Sequence, residues 1–310
     1  MNDPSLLLTI LALSLLLDQV IGEYPNRWHP VVWIGRSIRW MRQLVPHGDP
    51  VIAYLWGLVI ALFVPAVWAG LVALLSYLFD HWPWLWVLLG TYVLKASFAL
   101  EALGLASKTV GHHLDQGQLE QARFELRSLC SRDASQLSEE QLIGASVSSI
   151  AENLSDSFVA PLFYFLIFGL PGAIAYRAIN TLDAMLGYWD ERRWIGHFSA
   201  KLDDLVNYVP ARITALLITA VATIESRDSK SFPIMIRDHF LTPSPNGGWP
   251  MAAMAGALGI QLSKPGAYKL GDPEQGLSFQ SLGESWRLAK RAGLLFFGVS
   301  VMLLGVQLAT

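Results

Sequence analysis

Cysteine and charge are both scarce in this sequence. Its 310 residues include a single cysteine, Cys130, and only 15% of them are charged, whereas 53% are hydrophobic. One cysteine cannot form an internal disulfide and is too few for a structural zinc site. With 22 basic and 25 acidic residues, the net charge of -3 lacks the basic excess of a nucleic-acid-binding protein. The composition indicates a membrane protein that faces lipid and has no nucleic-acid partner.

Two common catalytic motifs are also missing. The chain has no G-x-x-x-x-G-K-[ST] loop, so a nucleotide would have to be held by a different device. It has no G-x-S-x-G nucleophile elbow either. The first apolar run lacks a preceding basic region and a following small-residue cleavage pattern, so we expect it to stay in the mature protein.

Long apolar runs recur along the chain. A spanning helix needs about 20 mainly apolar residues, because each rises ~1.5 Å across a hydrocarbon core of ~30 Å. The candidates are residues 4–22, 51–79, 83–106, 156–177, 208–224 and 292–310. Pro161 and Pro171 interrupt the fourth candidate, which could be a kinked span or a re-entrant segment. The pattern predicts an all-α, polytopic membrane protein with four to six spanning or re-entrant helices.

Polar segments separate these runs, and the first of them is rich in arginine. They cover residues 23–50, 107–155, 178–207 and 225–291. Arginines at 27, 36, 39 and 42 place the first segment in the cytoplasm by the positive-inside rule. We expect one integral-membrane domain, 1–310, in the cell inner membrane, with all four segments on the cytoplasmic face. Residues 112–143 read as two amphipathic helices on that face, the second capped by Ser138.

Acidic and amide residues cluster in the run SSIAENLSDSFVAPLF. Glu152 and Asp156 are four apart, so they share one helix face, and Asn153 lies between them. Ionisable groups beside membrane helices are costly and usually functional, which makes these three residues candidate catalytic groups. The competing interpretation is that Ser155 or Asp156 caps a helix.

Two further clusters combine acids, amides and arginine. The second contains Arg177, Asn180 and Asp183, and the third contains Asp203, Asp204, Asn207 and Arg212. We predict Asp203, Asp204 and Asn207 as Mg²⁺ ligands, since Mg²⁺ accepts such oxygens while keeping water and phosphate. Asp183 joins the catalytic candidates, while Asn180 and both arginines would bind substrate phosphate. Solvated helix faces are the alternative for each cluster alone.

A loop of small residues, Asn246-Gly247-Gly248-Trp249-Pro250, precedes a small-residue helix. Helix packing explains the small residues, but Asn246 and Trp249 could instead contact a large planar ligand.

Together these motifs resemble the CobD/CbiB family of cobalamin-biosynthesis proteins, the adenosylcobinamide-phosphate synthases. The matching stretches run from about residue 15 to 271: LLLDQVIGEYPNRWHPVVWIGRSI, SRDASQLSEEQLIGASVSSIAENLSDSFVAPLFYF, GLPGAIAYRAINTLDAMLGY, LDDLVNYVPARITALL, SPNGGWPMAAMAGALGIQL and KPGAYKLG. The resemblance implies an ATP-linked amide ligase that joins adenosylcobyric acid to (R)-1-aminopropan-2-ol or its O-phosphate. It also implies ATP as co-substrate, Mg²⁺, and possible association with other membrane-bound cobalamin-assembly enzymes.

The sequence departs from the family pattern at four positions: Ser148, Ser157, Arg177 and Ala184. These differences leave room for an altered substrate or a diverged paralogue. The alternative functions are a non-catalytic membrane sensor or transporter and a Mg²⁺-dependent membrane phosphotransferase. In the transporter interpretation, Lys95 and Glu101 would line a path or pair with each other.

Overall fold

The computed structural model describes residues 3–46, 48–130, 133–188, 193–226 and 229–309. Within these ranges the chain is almost entirely helical, as predicted, with one small antiparallel hairpin. The helices are α1 (Pro4–Ile21), α2 (Pro30–Gln43), α3 (Pro50–Leu78), α4 (Pro83–Ser97), α5 (Leu100–Asp115), α6 (Leu119–Glu125), α7 (Glu139–Leu154), α8 (Ala160–Leu186), α9 (Arg193–Val206), α10 (Tyr208–Glu225), α11 (Ser231–Asp238), α12 (Gly248–Leu258) and α13 (Phe279–Ala309). The strands are β1 (Leu262–Lys264) and β2 (Tyr268–Leu270).

Six helical stretches are long and apolar enough to cross a membrane. They are Pro4–Ile21, Pro50–Leu78, Pro83–Asp115, Glu139–Leu186, Tyr208–Glu225 and Phe279–Ala309. The third is interrupted at residues 98–99, between α4 and α5. Only 28% of the apolar window of α3 is buried inside the protein, which leaves most of that helix to face lipid. The chain is a multi-pass membrane protein, and the predicted range of four to six spans is confirmed.

Proline and polar caps explain where several helices begin. Pro4, Pro30, Pro50 and Pro83 lie in first turns, where a missing N–H would have had no intrahelical partner. Three of these helices are also capped by the side chain of the preceding residue.

Helix α7 begins with the predicted capping box. The Ser138 hydroxyl accepts the Gln141 N–H at 3.3 Å, and the Gln141 side chain accepts the Ser138 N–H at 2.9 Å. The two-helix prediction for residues 112–143 holds only in part, because residues 112–115 end α5 and α6 has just seven residues.

At the C-terminal end of α7, the helix continues into a π-helical turn, Ser155–Val159. Neither Ser155 nor Asp156 therefore starts a helix, and the capping interpretation is wrong.

Helix α8 reverses direction at Gly169. That residue has φ 65° and ψ -156°, a conformation open to glycine but strained for other residues. The rings of Tyr164 and Tyr176 stack with centroids 5.4 Å apart, although 12 residues of straight helix would separate their backbones by about 18 Å. A Cβ added at Gly172 would lie 2.5 Å from the Tyr164 carbonyl oxygen. Because its two halves fold back on each other, α8 has the shape of a re-entrant hairpin rather than a kinked span.

The helices group into two compact units. The first unit contains residues 1–99, 160–206 and 299–310 of the chain. In it α3 packs against α8 and α9, α1 packs against α4, and α2 contacts α3, α4 and α8. Glycines permit the closest approaches: a Cβ at Gly57 would lie 2.4 Å from the Ile195 carbonyl oxygen, and one at Gly196 would lie 1.8 Å from that of Leu186.

The second unit contains residues 100–159 and 207–298. Its centre is α12, whose residues Met251 to Gly256 are all buried and which contacts α7, α10 and α11. Gly256 lets the backbone of Lys230 approach, since a Cβ there would lie 2.6 Å from the Lys230 carbonyl oxygen. The loop before α12 is thereby held beside α7, α10 and α11.

Candidate functional site

The second unit holds Arg212 between two aromatic rings. Its guanidinium carbon lies 3.4 Å from the centroid of Tyr208 and 4.7 Å from that of Trp249. The same guanidinium donates to the Tyr208 carbonyl and, at 3.3 Å, to the Asn246 side-chain oxygen. Within the described residues it contacts no carboxylate. The group is therefore rigidly oriented and positively charged, which is the arrangement that binds an anion.

Trp249 continues this stack. Its ring centroid lies 3.9 Å from that of His239, with the planes 30° apart. The indole Nε1–H is buried and has no acceptor in the part of the chain that the structure describes. Buried donors are nearly always satisfied, so this N–H is available to an acceptor on a ligand. Tyr208 and His239 were not singled out from the sequence. Tyr208 lies four residues before Arg212, a helical spacing that could have pointed to it, whereas the spacing between His239 and Trp249 offers no such signal.

Short contacts fix the position of the loop that contains Asn246. Asn246 is 6% exposed, and its backbone N–H donates to the Ser244 hydroxyl at 3.2 Å. A Cβ at Gly247 would lie 2.8 Å from Glu152 Oε1, and one at Gly248 would lie 2.0 Å from the His239 carbonyl oxygen. Glycine is thus required at position 248, where the added atom would meet backbone, whereas at Gly247 a small movement of the Glu152 side chain would relieve the contact. The loop lies directly against the Glu152 carboxylate.

The other residues of the first predicted cluster lie on or next to the π-helical turn. Asn153 donates to the Leu129 carbonyl at 2.9 Å, so one of its amide hydrogens holds the preceding loop in place. Asp156 and Glu152 are both partly exposed. Single π-helical turns often occur at functional sites, since the extra residue redirects the side chains around it. Asn207, just before α10, is 2% exposed.

In the first unit, the second predicted cluster makes contact with part of the third. Arg177 donates to Asn180 Oδ1 at 3.2 Å, and Asn180 Nδ2 donates to Asp203 Oδ1 at 3.4 Å. Asn180 thus links a guanidinium on α8 to a carboxylate on α9. The structure brings these residues together across 23 positions of sequence, because the second half of α8 packs against α9.

Two further carboxylates, Asp183 and Asp204, lie close in the chain to Asn180 and Asp203. A Cβ at Gly187 would lie 1.9 Å from Asp183 Oδ1, so the chain after α8 passes directly beside that carboxylate. Lys201 Nζ lies 4.0 Å from Asp204 Oδ2, and both side chains are partly open to solvent.

The donor set bears on whether Mg²⁺ could bind. Among the described residues, no three His, Cys, Asp or Glu side chains form a metal cluster. Mg²⁺ commonly takes one or two carboxylates and completes its shell with water and substrate phosphate. Asp203 and Asp204 fit that shared type of site and do not provide an all-protein cage.

A buried ion cluster in the first unit was not anticipated. Lys95, fully buried, lies 3.1 Å from Asp18 and 2.8 Å from Glu23. His29 Nδ1 accepts the Val31 N–H, so its Nε2 carries the proton and donates to Glu23 at 2.6 Å. Burial raises the pKa of Glu23, but the His29 hydrogen bond and the Lys95 charge outweigh it and lower that pKa to about 2. Glu101 contacts Lys290, so the suggested pairing of Lys95 with Glu101 is replaced by two separate pairs.

Comparison with known proteins identifies relatives along nearly the whole chain. A family model described as CobD/Cbib protein matches residues 11–289. The chain is 42% identical over 290 residues to the probable cobalamin biosynthesis protein CobD of Methanothermobacter thermautotrophicus, covering 93% of this chain and 95% of that protein. It is 40% identical over 298 residues to the cobalamin biosynthesis protein CobD of Dehalococcoides mccartyi, covering 95% and 96%. The corresponding protein of Klebsiella pneumoniae is 34% identical over 317 residues, covering 96% and 99%. No solved structure matches the chain.

Proposed function

The chain belongs to the CobD/CbiB protein family, and we propose that it acts in cobalamin biosynthesis as an amide-forming enzyme of the membrane. The reaction joins (R)-1-aminopropan-2-ol, or its O-phosphate, to a propionate carboxylate of adenosylcobyric acid. ATP and Mg²⁺ take part as co-substrate and cation. The pathway follows from the names of relatives that match the chain nearly end to end.

The observation that carries the proposal is the position of Arg212, whose guanidinium lies between the rings of Tyr208 and Trp249. The corrinoid substrate brings a carboxylate and ATP brings phosphate, and the amine adds a second phosphate when it is the O-phosphate. A planar guanidinium fixed between Tyr208 and Trp249 offers its hydrogen atoms to such a group without first reorganising. The indole Nε1–H of Trp249 supplies a second donor.

Amide formation also requires proton removal. The amine of aminopropanol is an ammonium ion near neutral pH and must lose a proton before its nitrogen can attack an acyl carbon. We assign this task to one of the carboxylates Glu152, Asp156 and Asp183. The carboxylate oxygen first attacks the terminal phosphorus of ATP, so that an O–P bond forms, the P–O bond to ADP breaks and ADP leaves. The amine then attacks the acyl carbon of this acyl phosphate, so that a C–N bond forms, the C–O bond breaks and inorganic phosphate leaves.

Phosphate would bind at the hydrogen-bonded group formed by Arg177, Asn180 and Asp203. Asn180 is hydrogen-bonded to both Arg177 and Asp203, so the guanidinium is oriented by a residue that itself carries no charge. Asp203 and Asp204 would hold Mg²⁺, which when bound would supply positive charge to neutralise phosphate oxygens. Asn153 would act as a positioning residue through its bond to the Leu129 carbonyl.

The direct test supplies purified protein with adenosylcobyric acid, Mg-ATP and either aminopropanol or its O-phosphate, and detects the amide product by mass. Arg212→Lys keeps the charge but loses the planar stack, so kcat/KM should fall roughly tenfold to a hundredfold. The matched control is Arg287→Lys, since Arg287 is exposed and makes no contact with a carboxylate in the described chain. Absence of product from folded wild-type protein with both amines would refute the proposed reaction.

A further inference from the structure

Helix α2 carries a row of arginines on its exposed side. Arg36, Arg39 and Arg42 are spaced three apart, so each is a surface neighbour of the next, and all three are exposed. The opposite side of the helix is apolar, and Ile34 and Ile38 are completely buried there. The packing of α2 therefore fixes which way the arginines face.

The charge of this row is uncompensated. Other arginines of the chain contact carboxylates: Arg123 contacts Glu120, and Arg291 contacts Glu225. None of the three on α2 makes such a contact anywhere in the described part of the chain. Adjacent guanidiniums repel each other, and a bound anion would relieve that repulsion.

A cavity opens at the end of the row. It has a volume of about 310 Å³ and is lined by Arg42, Pro46, Asp49, Ala53, Trp194 and Ile195, among others. Asp49 already accepts the Val51 N–H at 2.8 Å as the cap of α3. The cavity thus combines the Arg42 guanidinium with the Asp49 carboxylate, which is engaged as a helix cap, and its other lining residues are apolar. With the arginine row beside it, this arrangement suits a ligand with an anionic end and a hydrocarbon part.

The surroundings are those of a membrane interface. In the chain, helix α2 follows α1 and precedes α3, both long and apolar enough to span. Pro50 at the first turn of α3 borders the cavity. Trp40 on α2 is 60% exposed, and Trp194 is 41% exposed with the Arg193 guanidinium 4.9 Å from its ring centroid. Exposed tryptophan and arginine at the end of a span are typical of the headgroup level.

We propose that this site binds one anionic phospholipid. The arginines of α2 contact its phosphate, and the cavity beside Arg42 and Trp194 accepts its glycerol and the start of an acyl chain. Basic segments next to spans attract anionic lipid, with each arginine near the surface contributing about fivefold to the binding constant. None of the residues proposed to contact the lipid is assigned a role in the reaction, so the test of lipid binding does not depend on the proposed function.

The test uses native mass spectrometry and thermal unfolding of the full chain in neutral detergent. Phosphatidylglycerol should form a one-to-one adduct and raise the melting temperature, whereas phosphatidylcholine and inorganic phosphate should not. Arg36→Gln/Arg39→Gln/Arg42→Gln should abolish both effects. The matched control is Lys108→Gln/Lys264→Gln/Lys269→Gln, which removes the same charge from exposed positions and should behave as wild type.

Several results would contradict the proposed lipid site. Equal binding of phosphatidylglycerol by the arginine triple variant would do so, as would equal binding of phosphatidylcholine by wild type. An effect of inorganic phosphate as large as that of the lipid would show a simple anion site instead. If the triple variant fails to fold, the single variant Arg42→Gln should still weaken the adduct about fivefold.

Discussion

At the scale of single residues, Lys95 is a positive charge that is completely buried. It has no exposed surface, and burying an ammonium ion without partners would cost far more than a protein of ordinary stability can supply. Asp18 and Glu23 compensate it at 3.1 Å and 2.8 Å. The cluster ties α1 and the segment after it to α4, so its role is structural, and removing one partner should be costly.

The pH dependence of stability should report on Glu23. Its pKa of about 2 in the folded protein lies below the ordinary 4.5, so its contribution is complete above pH 4.5 and is lost as the pH falls toward 2. Glu23→Gln should lower the melting temperature at pH 7 and remove part of the fall between pH 4.5 and 3. Thermal unfolding in detergent at several pH values measures both effects.

Glu140→Gln is the control for this experiment. Glu140 is exposed, begins α7 and contacts no cation in the described chain, so its variant should keep the wild-type pH profile. If Glu23→Gln and Glu140→Gln gave the same profile, the ion cluster would not contribute to acid sensitivity.

At the scale of elements, α8 shows why periodicity alone was ambiguous. An apolar run with Pro161, Gly169 and Pro171 is compatible with a kink or with a reversal, because both use the same residues. The positive φ of Gly169 and the stacking of Tyr164 on Tyr176 show that the helix reverses direction there. The close approach at Gly172 is then a requirement of the hairpin.

Gly172→Ala should therefore be strongly destabilising. Its Cβ would lie 2.5 Å from both the Tyr164 carbonyl oxygen and the Phe168 Cβ, so the two halves of α8 would have to separate. We expect a loss of about 1–3 kcal/mol, seen as a fall of several degrees in melting temperature. Gly70→Ala on α3 is the matched control, since no atom lies within 4 Å of the added Cβ and alanine favours helix. A smaller loss at Gly172 than at Gly70 would contradict the hairpin.

At the scale of the whole molecule, the hairpin has a consequence for membrane sidedness. A re-entrant α8 returns the chain to the side from which it came, whereas a spanning α8 would carry it across. The arginine-rich segment and the chain after α8 should accordingly share one face of the membrane, which remains a prediction.

Cysteine labelling can test this sidedness. Cys130→Ser removes the only cysteine, after which Val45→Cys, His81→Cys and Tyr188→Cys are introduced singly. An impermeant maleimide should label positions 45 and 188 from one side of the membrane and position 81, in the turn between α3 and α4, from the other. Labelling of 188 together with 81 would mean that α8 crosses.

Only part of the candidate site could be predicted from the sequence. Helical spacing correctly grouped residues that share a turn, such as Asn180 with Arg177, because neighbours three or four apart always meet on a helix. Spacing could not pair Arg212 with Trp249, or Trp249 with His239, since those contacts join different elements. It also could not tell that Asn153 would be engaged by the Leu129 carbonyl.

The sequence alone determined the helical class, the approximate spans, the start of α7 and the family. Each depends on composition or on residues close together in the chain, where propensity, capping and the length of apolar runs are decisive. Only the tertiary structure decided the reversal of α8, the partners of Lys95, the stack around Arg212 and the lack of a described carboxylate beside the arginines of α2. Those features depend on which distant side chains meet, and the pattern of a single helix carries no information about the element packed against it.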